Sequence, residues 1–176
     1  MKASMIFICV AFLSVLLCCA SLNQGLTPGV KTTISDFDNS VEVVQKAVSA
    51  ASSLSEGWHT LGFRWNSKAP NTIFLTVGTK GIVNVTGVSF NIDGNIVDAE
   101  IASTLTDYDQ WSTRQFSMPL DQFRKLATAK IVKMKVIMID KYSVSSFGQT
   151  KQNAIVSGKF SEFIRQVNAQ LEKKGY

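Results

Sequence analysis

Alternation of apolar and polar side chains, repeated at short intervals through the middle of the chain, most narrows the folds open to it. In "WHTLGFRW", His59, Leu61, Phe63 and Trp65 fall on one face, Thr60, Gly62 and Arg64 on the other. That is the period of a half-buried β-strand. "NTIFLTV" repeats it with Ile73, Leu75 and Val77. In "IVNVTGVSFNIDGNIVDAEIA", Val88, Phe90 and Ile92 lead into Asp93-Gly94, and Val97, Ala99 and Ile101 leave it. Asp-Gly suits a two-residue hairpin turn, whose central positions need positive φ. Further strands are expected within "YDQWSTRQF" and in "IVKMKVIMI", where Val132, Met134, Val136 and Met138 share a face. "AIVSGKF" is read as a short strand. Val41 to Gln45 leans toward strand by its β-branched residues, while Val44, Ala47, Val48 and Ala51 recur at the spacing of a helix.

Two stretches switch to a helical period. In "SMPLDQFRKLATAK", Pro119 stands near the start, and Leu120, Phe123, Leu126 and Ala127 form one stripe. Near the end, Phe160, Phe163, Ile164, Val167 and Leu171 recur every three to four residues, with Glu162, Arg165 and Gln166 outside. Strands first and helices late predict an α+β fold. The expected form is a mostly antiparallel, sandwich-like sheet with one or two helices packed on it, and a C-terminal amphipathic helix.

The chain opens differently. Lys2 precedes an apolar run from Met5 to Leu17, after which Asn23, Gln24 and Gly25 end the apolarity abruptly. Such a run falls short of the roughly 20 residues that span a bilayer, but it matches the length of a secretory signal. The residues "LLCCASL" resemble a bacterial lipobox: Leu16 takes the aliphatic position, Cys19 the modified cysteine, and Ala20-Ser21-Leu22 follows. Cys18 stands where that pattern has Gly, Ala or Ser. The resemblance implies a bacterial lipoprotein, with palmitate-type acyl chains on Cys19 tying it to a membrane. Ala20, rather than Asp, implies the outer membrane of the cell envelope, facing periplasm or surface. Ordinary cleavage after Ala20, giving a soluble periplasmic or secreted protein, is the alternative. The expected organisation is a signal over 1–18, a lipidated tether over 19–32, rich in Gly, Pro, Asn and Gln, and one globular domain over 33–176.

Cysteine placement then excludes chemistry. Cys9, Cys18 and Cys19 are the only three, so the domain past residue 19 has no disulfide, thiol nucleophile or Cys-ligated metal. A lone histidine, His59, rules out the usual zinc sites, and no GxSxG elbow or Ser-x-x-Lys pair is present. His59 shares the parity of Leu61, Phe63 and Trp65 and reads as a structural, buried residue. The pairs Asp36/Asp38, Asp98/Glu100 and Asp107/Asp109 sit in or beside turns, where Asp bonds its own backbone. No cofactor is expected.

Charge separates along the chain. From Cys19 to Asp109 there are 5 Lys/Arg against 9 Asp/Glu, and from Gln110 to Tyr176 there are 12 against 4. Lys133, Lys135 and Lys141 are the candidate basic face, suited to an anionic polymer or lipid headgroups. Tyr108, Trp111 and Arg114, an aromatic and cationic group among polar neighbours, are the candidate exposed binding patch. No nucleic-acid motif is visible. The function expected is non-enzymatic: a membrane-tethered envelope protein binding a partner protein or polymer. A secreted hydrolase with a hidden carboxylate or Ser/Lys site, or an inhibitor or immunity-type protein, are the alternatives.

Overall fold

The computed structural model describes residues 27–174; the signal, Cys19 and most of the tether lie outside them. Eleven strands are present among the described residues: β1 (Lys31–Ile34), β2 (Val41–Ser49), β3 (His59–Asn66), β4 (Thr72–Lys80), β5 (Val85–Ile92), β6 (Asn95–Asp98), β7 (Glu100–Ile101), β8 (Asp107–Tyr108), β9 (Trp111–Pro119), β10 (Val132–Met138) and β11 (Tyr142–Phe147). Helix α1 covers Leu120–Thr128 and helix α2 covers Phe160–Lys174. The first strand begins at Lys31, so the last two residues of the expected tether belong to the sheet.

The strands form two antiparallel sheets. The larger runs β1-β2-β3-β4-β9-β7, with β8 also paired to β9, and the smaller runs β11-β10-β5-β6. Both α-helices lie over the larger sheet, α2 against β2 and α1 against β4 and β9. The expected α+β sandwich with a C-terminal helix is what forms.

Alternation decides which face goes inward. Leu61, Phe63 and Trp65 of β3, Ile73, Leu75 and Val77 of β4, and Val132, Met134 and Val136 of β10 are buried. Under the helices Phe63 meets Phe163 at 4.7 Å between ring centroids and both Phe123 and Phe160 at 5.1 Å. Such edge-on and offset contacts add to the burial of the rings themselves. The one indole nitrogen in this core, that of Trp65, donates to the Pro70 carbonyl at 2.9 Å.

Turn chemistry follows the residues. Asp93 and Gly94 have φ of 47° and 102°, the positive values a tight hairpin demands. Asp93 also accepts from the Lys130 and Ile131 amides at 3.0 and 2.8 Å, joining the end of α1 to that hairpin. Within β2 the pairing with β3 slips between Gln45 and Val48. Gly62 makes room for this bulge: a Cβ there would stand 2.7 Å from the Ala47 amide nitrogen.

Two local expectations differ. Ile155–Lys159 is a 3₁₀ turn leading into α2 rather than a strand. Its apolar residues are too few to sustain an alternating face, and Gly158 interrupts them. The strand nearby is β11 instead, whose "YSVSSF" hides its period because Ser143 and Ser145 occupy inward positions beside Phe147.

Candidate functional site

The larger sheet has one edge where four elements end together. β2 runs out at Ser49, opposite Thr60; His59 pairs with Thr79; Lys80 pairs with Trp111; Tyr108 pairs with Ser112. Between β2 and β3 the chain makes a loop through a 3₁₀ turn at Leu54–Glu56. A cleft of about 530 Å³ opens there, walled by this loop, by Pro28 where the described chain begins, and by Asn153 and Ile155 before α2.

Its wall is mostly apolar. Trp58 and Trp111 contribute two indoles, and Leu54 and Ile155 stand at the rim. Leu54 is 79% exposed and Trp58 54% exposed, so the rim offers apolar surface to solvent. Among the described residues, none that lines the cleft carries a charge. Lys80 lies just outside, its ammonium 5.0 Å from the centre of the Trp58 ring, a cation–π distance.

His59 lines this cleft and is 3% exposed. Neither Nδ1 nor Nε2 has a hydrogen-bond partner among the described residues. Burial lowers its pKa below the ordinary imidazole value, against a smaller upward pull from the Glu56 carboxylate. The ring is therefore neutral near pH 7, with one N–H donor and one lone pair unmatched. Leaving buried polar groups unpaired costs about 1–3 kcal/mol each. Gly57 beside it, at φ 84°, places no side chain over the ring; a Cβ there would lie 3.4 Å from Nε2.

Glu56 does not complete the histidine. Partial burial pushes its carboxyl up, but hydrogen bonds from Ser146 and Ser52 together outweigh that and hold the pKa below the ordinary value. The Ser52 and Ser146 amides donate to Oε2 at 2.8 and 3.0 Å, and both hydroxyls donate to Oε1. The carboxylate thus latches the loop of the larger sheet to β11 of the smaller one. It has no capacity left for the imidazole, and the Ser53 hydroxyl pairs with Ser55 at 2.8 Å. Among the described residues no hydroxyl is hydrogen-bonded to His59 for proton transfer. A second, polar hollow shares Ser52, Ser53 and Asn153 with the cleft and continues over Gln149 and Lys151.

The structure separates the expected binding patch. Tyr108 is half exposed at the edge strand, and Trp111 lines the cleft. Arg114 stands three residues past Trp111, on the opposite face of β9. Its guanidinium donates to the carbonyls of Val85 at 2.7 Å, Ser103 at 3.2 Å and Thr104 at 3.3 Å. Through these bonds it fastens the 103–105 loop. Lys133 and Lys135 share the outer face of β10, Lys135 with its ammonium 4.4 Å from the Tyr142 ring centre. Lys141 is exposed in the turn that follows. The three described ion pairs, Arg64–Glu42, Lys68–Asp38 and Arg165–Glu162, each join residues of one half of the chain, so none of them neutralises these lysines. Cys19 lies outside the described residues.

The carboxylate pairs serve turns and strands. Asp38 accepts from the Ser40 amide at 3.0 Å and from Lys68, which holds its carboxyl far below the ordinary range. Asp98 accepts from the Ser89 hydroxyl at 2.5 Å. Among the described residues no group of three His, Cys, Asp or Glu is placed to hold a metal ion, and no helix is long and apolar enough to cross a membrane.

Residues 50–58 and 153–155, which build most of the cleft, carry no sequence period that points to it. The available signal is Gly57-Trp58-His59, an indole at a strand entrance beside the only histidine. Comparisons with protein-family models, curated proteins and solved structures give no match to this chain.

Proposed function

We propose that this protein is a non-enzymatic, lipid-anchored binding protein of the bacterial cell envelope, and that the His59 cleft is where it takes its ligand. The carrying observation is the cleft's composition: an uncharged, indole-lined wall containing a buried imidazole with both nitrogens unmatched. Pockets of roughly 300–1,000 Å³ with apolar walls and a few convergent polar groups are the usual form of small-ligand sites. Among the described residues no hydroxyl or thiol is bonded to His59, which supports binding over catalysis.

The anchor belongs to the same picture. Thr27 stands eight positions past Cys19; the Lys159 ammonium donates to its hydroxyl at 3.1 Å, and Pro28 lines the cleft. Fully extended, such a segment reaches about 28 Å at ~3.5 Å per residue. An acylated Cys19 would therefore keep the cleft close to the bilayer surface. Two or more acyl chains hold a protein stably, whereas one holds it marginally.

Metabolic labelling with a palmitate analogue, followed by membrane fractionation, tests the anchor. The expected result is a labelled chain in the membrane fraction, with label and membrane association both lost in Cys19→Ser. An unlabelled chain in the soluble fraction would overturn it.

A further inference from the structure

We propose that the His59 cleft is selective for an uncharged, predominantly apolar small molecule that carries one hydroxyl-type hydrogen-bonding group. This rests on the reading of the cleft as a binding site and adds the chemical class of its occupant. Three observations fix that class.

First, the wall. Trp58, Trp111, Leu54 and Ile155 present indole and aliphatic surface, and no residue lining the cleft is charged. A charged ligand body would lose its water there and gain no counter-charge. Second, the nearest carboxylate is spent: Glu56 already accepts from two amides and two hydroxyls, so an ammonium finds no free anion. Third, burial keeps the imidazole neutral against the weaker pull of the Glu56 carboxylate, and neither nitrogen has a partner among the described residues, so a carboxylate finds no cation. What a neutral imidazole matches is a group that both donates and accepts. A hydroxyl does so. Both ring nitrogens are closed to solvent, and Gly57, which adds no side chain, lies beside Nε2; the hydroxyl is placed at that edge once the 54–58 loop moves aside, with the apolar body against the indoles and rim.

The test titrates the purified protein, in detergent-free buffer at pH 7.5, with 1-decanol, decanoate, decylammonium and a chitin-derived oligosaccharide. Tryptophan fluorescence reads binding, because Trp58 and Trp111 line the cleft while Trp65 is fully buried elsewhere. Decanol is expected to bind at least about tenfold more tightly than either charged analogue. Trp58→Ala, at an exposed position, is expected to weaken it severalfold and remove most of the signal. His59→Phe keeps the ring's shape without its nitrogens and should weaken decanol about three- to tenfold, the worth of one net hydrogen bond; its thermal unfolding shows that it remains folded. If decanoate, decylammonium or the oligosaccharide binds best with a signal that depends on Trp58, the ligand class is overturned while the cleft stands as a binding site. If no probe changes the fluorescence, both fall. Equal decanol affinity in His59→Phe overturns the hydrogen-bonding role.

Discussion

Phe63 and His59 lie on the same inward face of β3, four residues apart, and the two ends of that strand are finished in opposite ways. At Phe63, α1 and α2 bring Phe123, Phe160 and Phe163 within 4.7–5.1 Å, and the space is full. At His59 no helix arrives. A loop closes over the ring, held by one carboxylate, and leaves two nitrogens unmatched beside a cleft. One strand thus carries both the best-satisfied and the least-satisfied part of the fold. Natural proteins tend to violate local packing and polar-pairing rules where they function, and the contrast along β3 locates that violation.

The comparison breaks hardest at the full end. Phe63→Ala would remove the ring around which three others are arranged and leave a cavity that the sheet backbone cannot close. A loss of about 3–5 kcal/mol is expected, read as a lower midpoint in urea unfolding at unchanged slope. A loss below 1 kcal/mol would show that the helices repack freely, and that the two ends of β3 differ less than their geometry indicates.

Glu56 gives the next effect. Glu56→Ala removes every acceptor of the latch and should cost about 2 kcal/mol, the range for hydrogen bonds to a charged group after partial exposure is allowed for. Glu56→Gln should cost less, because one amide oxygen still serves both backbone N–H groups while the NH₂ donates to the serine hydroxyls. The carboxyl's folded pKa lies below its unfolded value, so its stabilisation is present above about pH 4.5 and is lost as pH falls through the folded pKa. Glu56→Gln should flatten that acid limb of the stability profile.

How much of this was legible in the chain follows from the same contrast. The full end is built from regular periods: alternating residues on β3 and β4, and three-to-four spacing in both helices. Those periods yield the α+β sandwich and most of its core. The Asp93-Gly94 hairpin was equally plain, since the dipeptide itself carries the turn. The cleft end is built from segments without a period, joined across long sequence separations: Pro28, the 50–58 loop, Trp111, and Asn153 with Ile155. Parity placed His59 inward correctly, but parity says nothing about whether a partner waits there. Proximity in sequence groups Trp111 with Tyr108 and Arg114, and the pleat puts Arg114 on the other face. The period of β11 is hidden because its inward serines look like a loop; the hydroxyl oxygens of Ser143 and Ser145 are buried and unpartnered among the described residues.

The smallest effect tests the least-satisfied residue. Replacing an unpaired buried polar ring by an apolar one of similar shape removes a desolvation cost without removing any hydrogen bond. His59→Phe is therefore expected to change stability at pH 7.5 by no more than about 1 kcal/mol, in the stabilising direction. The pH dependence is the sharper reading. Burial depresses the folded pKa of His59 below about 6.5, so the unfolded chain binds the proton more readily. Stability is thus whole above about pH 6.5 and declines as pH falls toward the folded pKa. Urea midpoints between pH 7.5 and 5 should fall in the wild-type chain and stay level in His59→Phe. The Glu56 contribution is separable because its window lies lower. A wild-type profile flat to pH 5 would mean that the imidazole has found a partner, and the contrast between the two ends of β3 would lose its sharpest point.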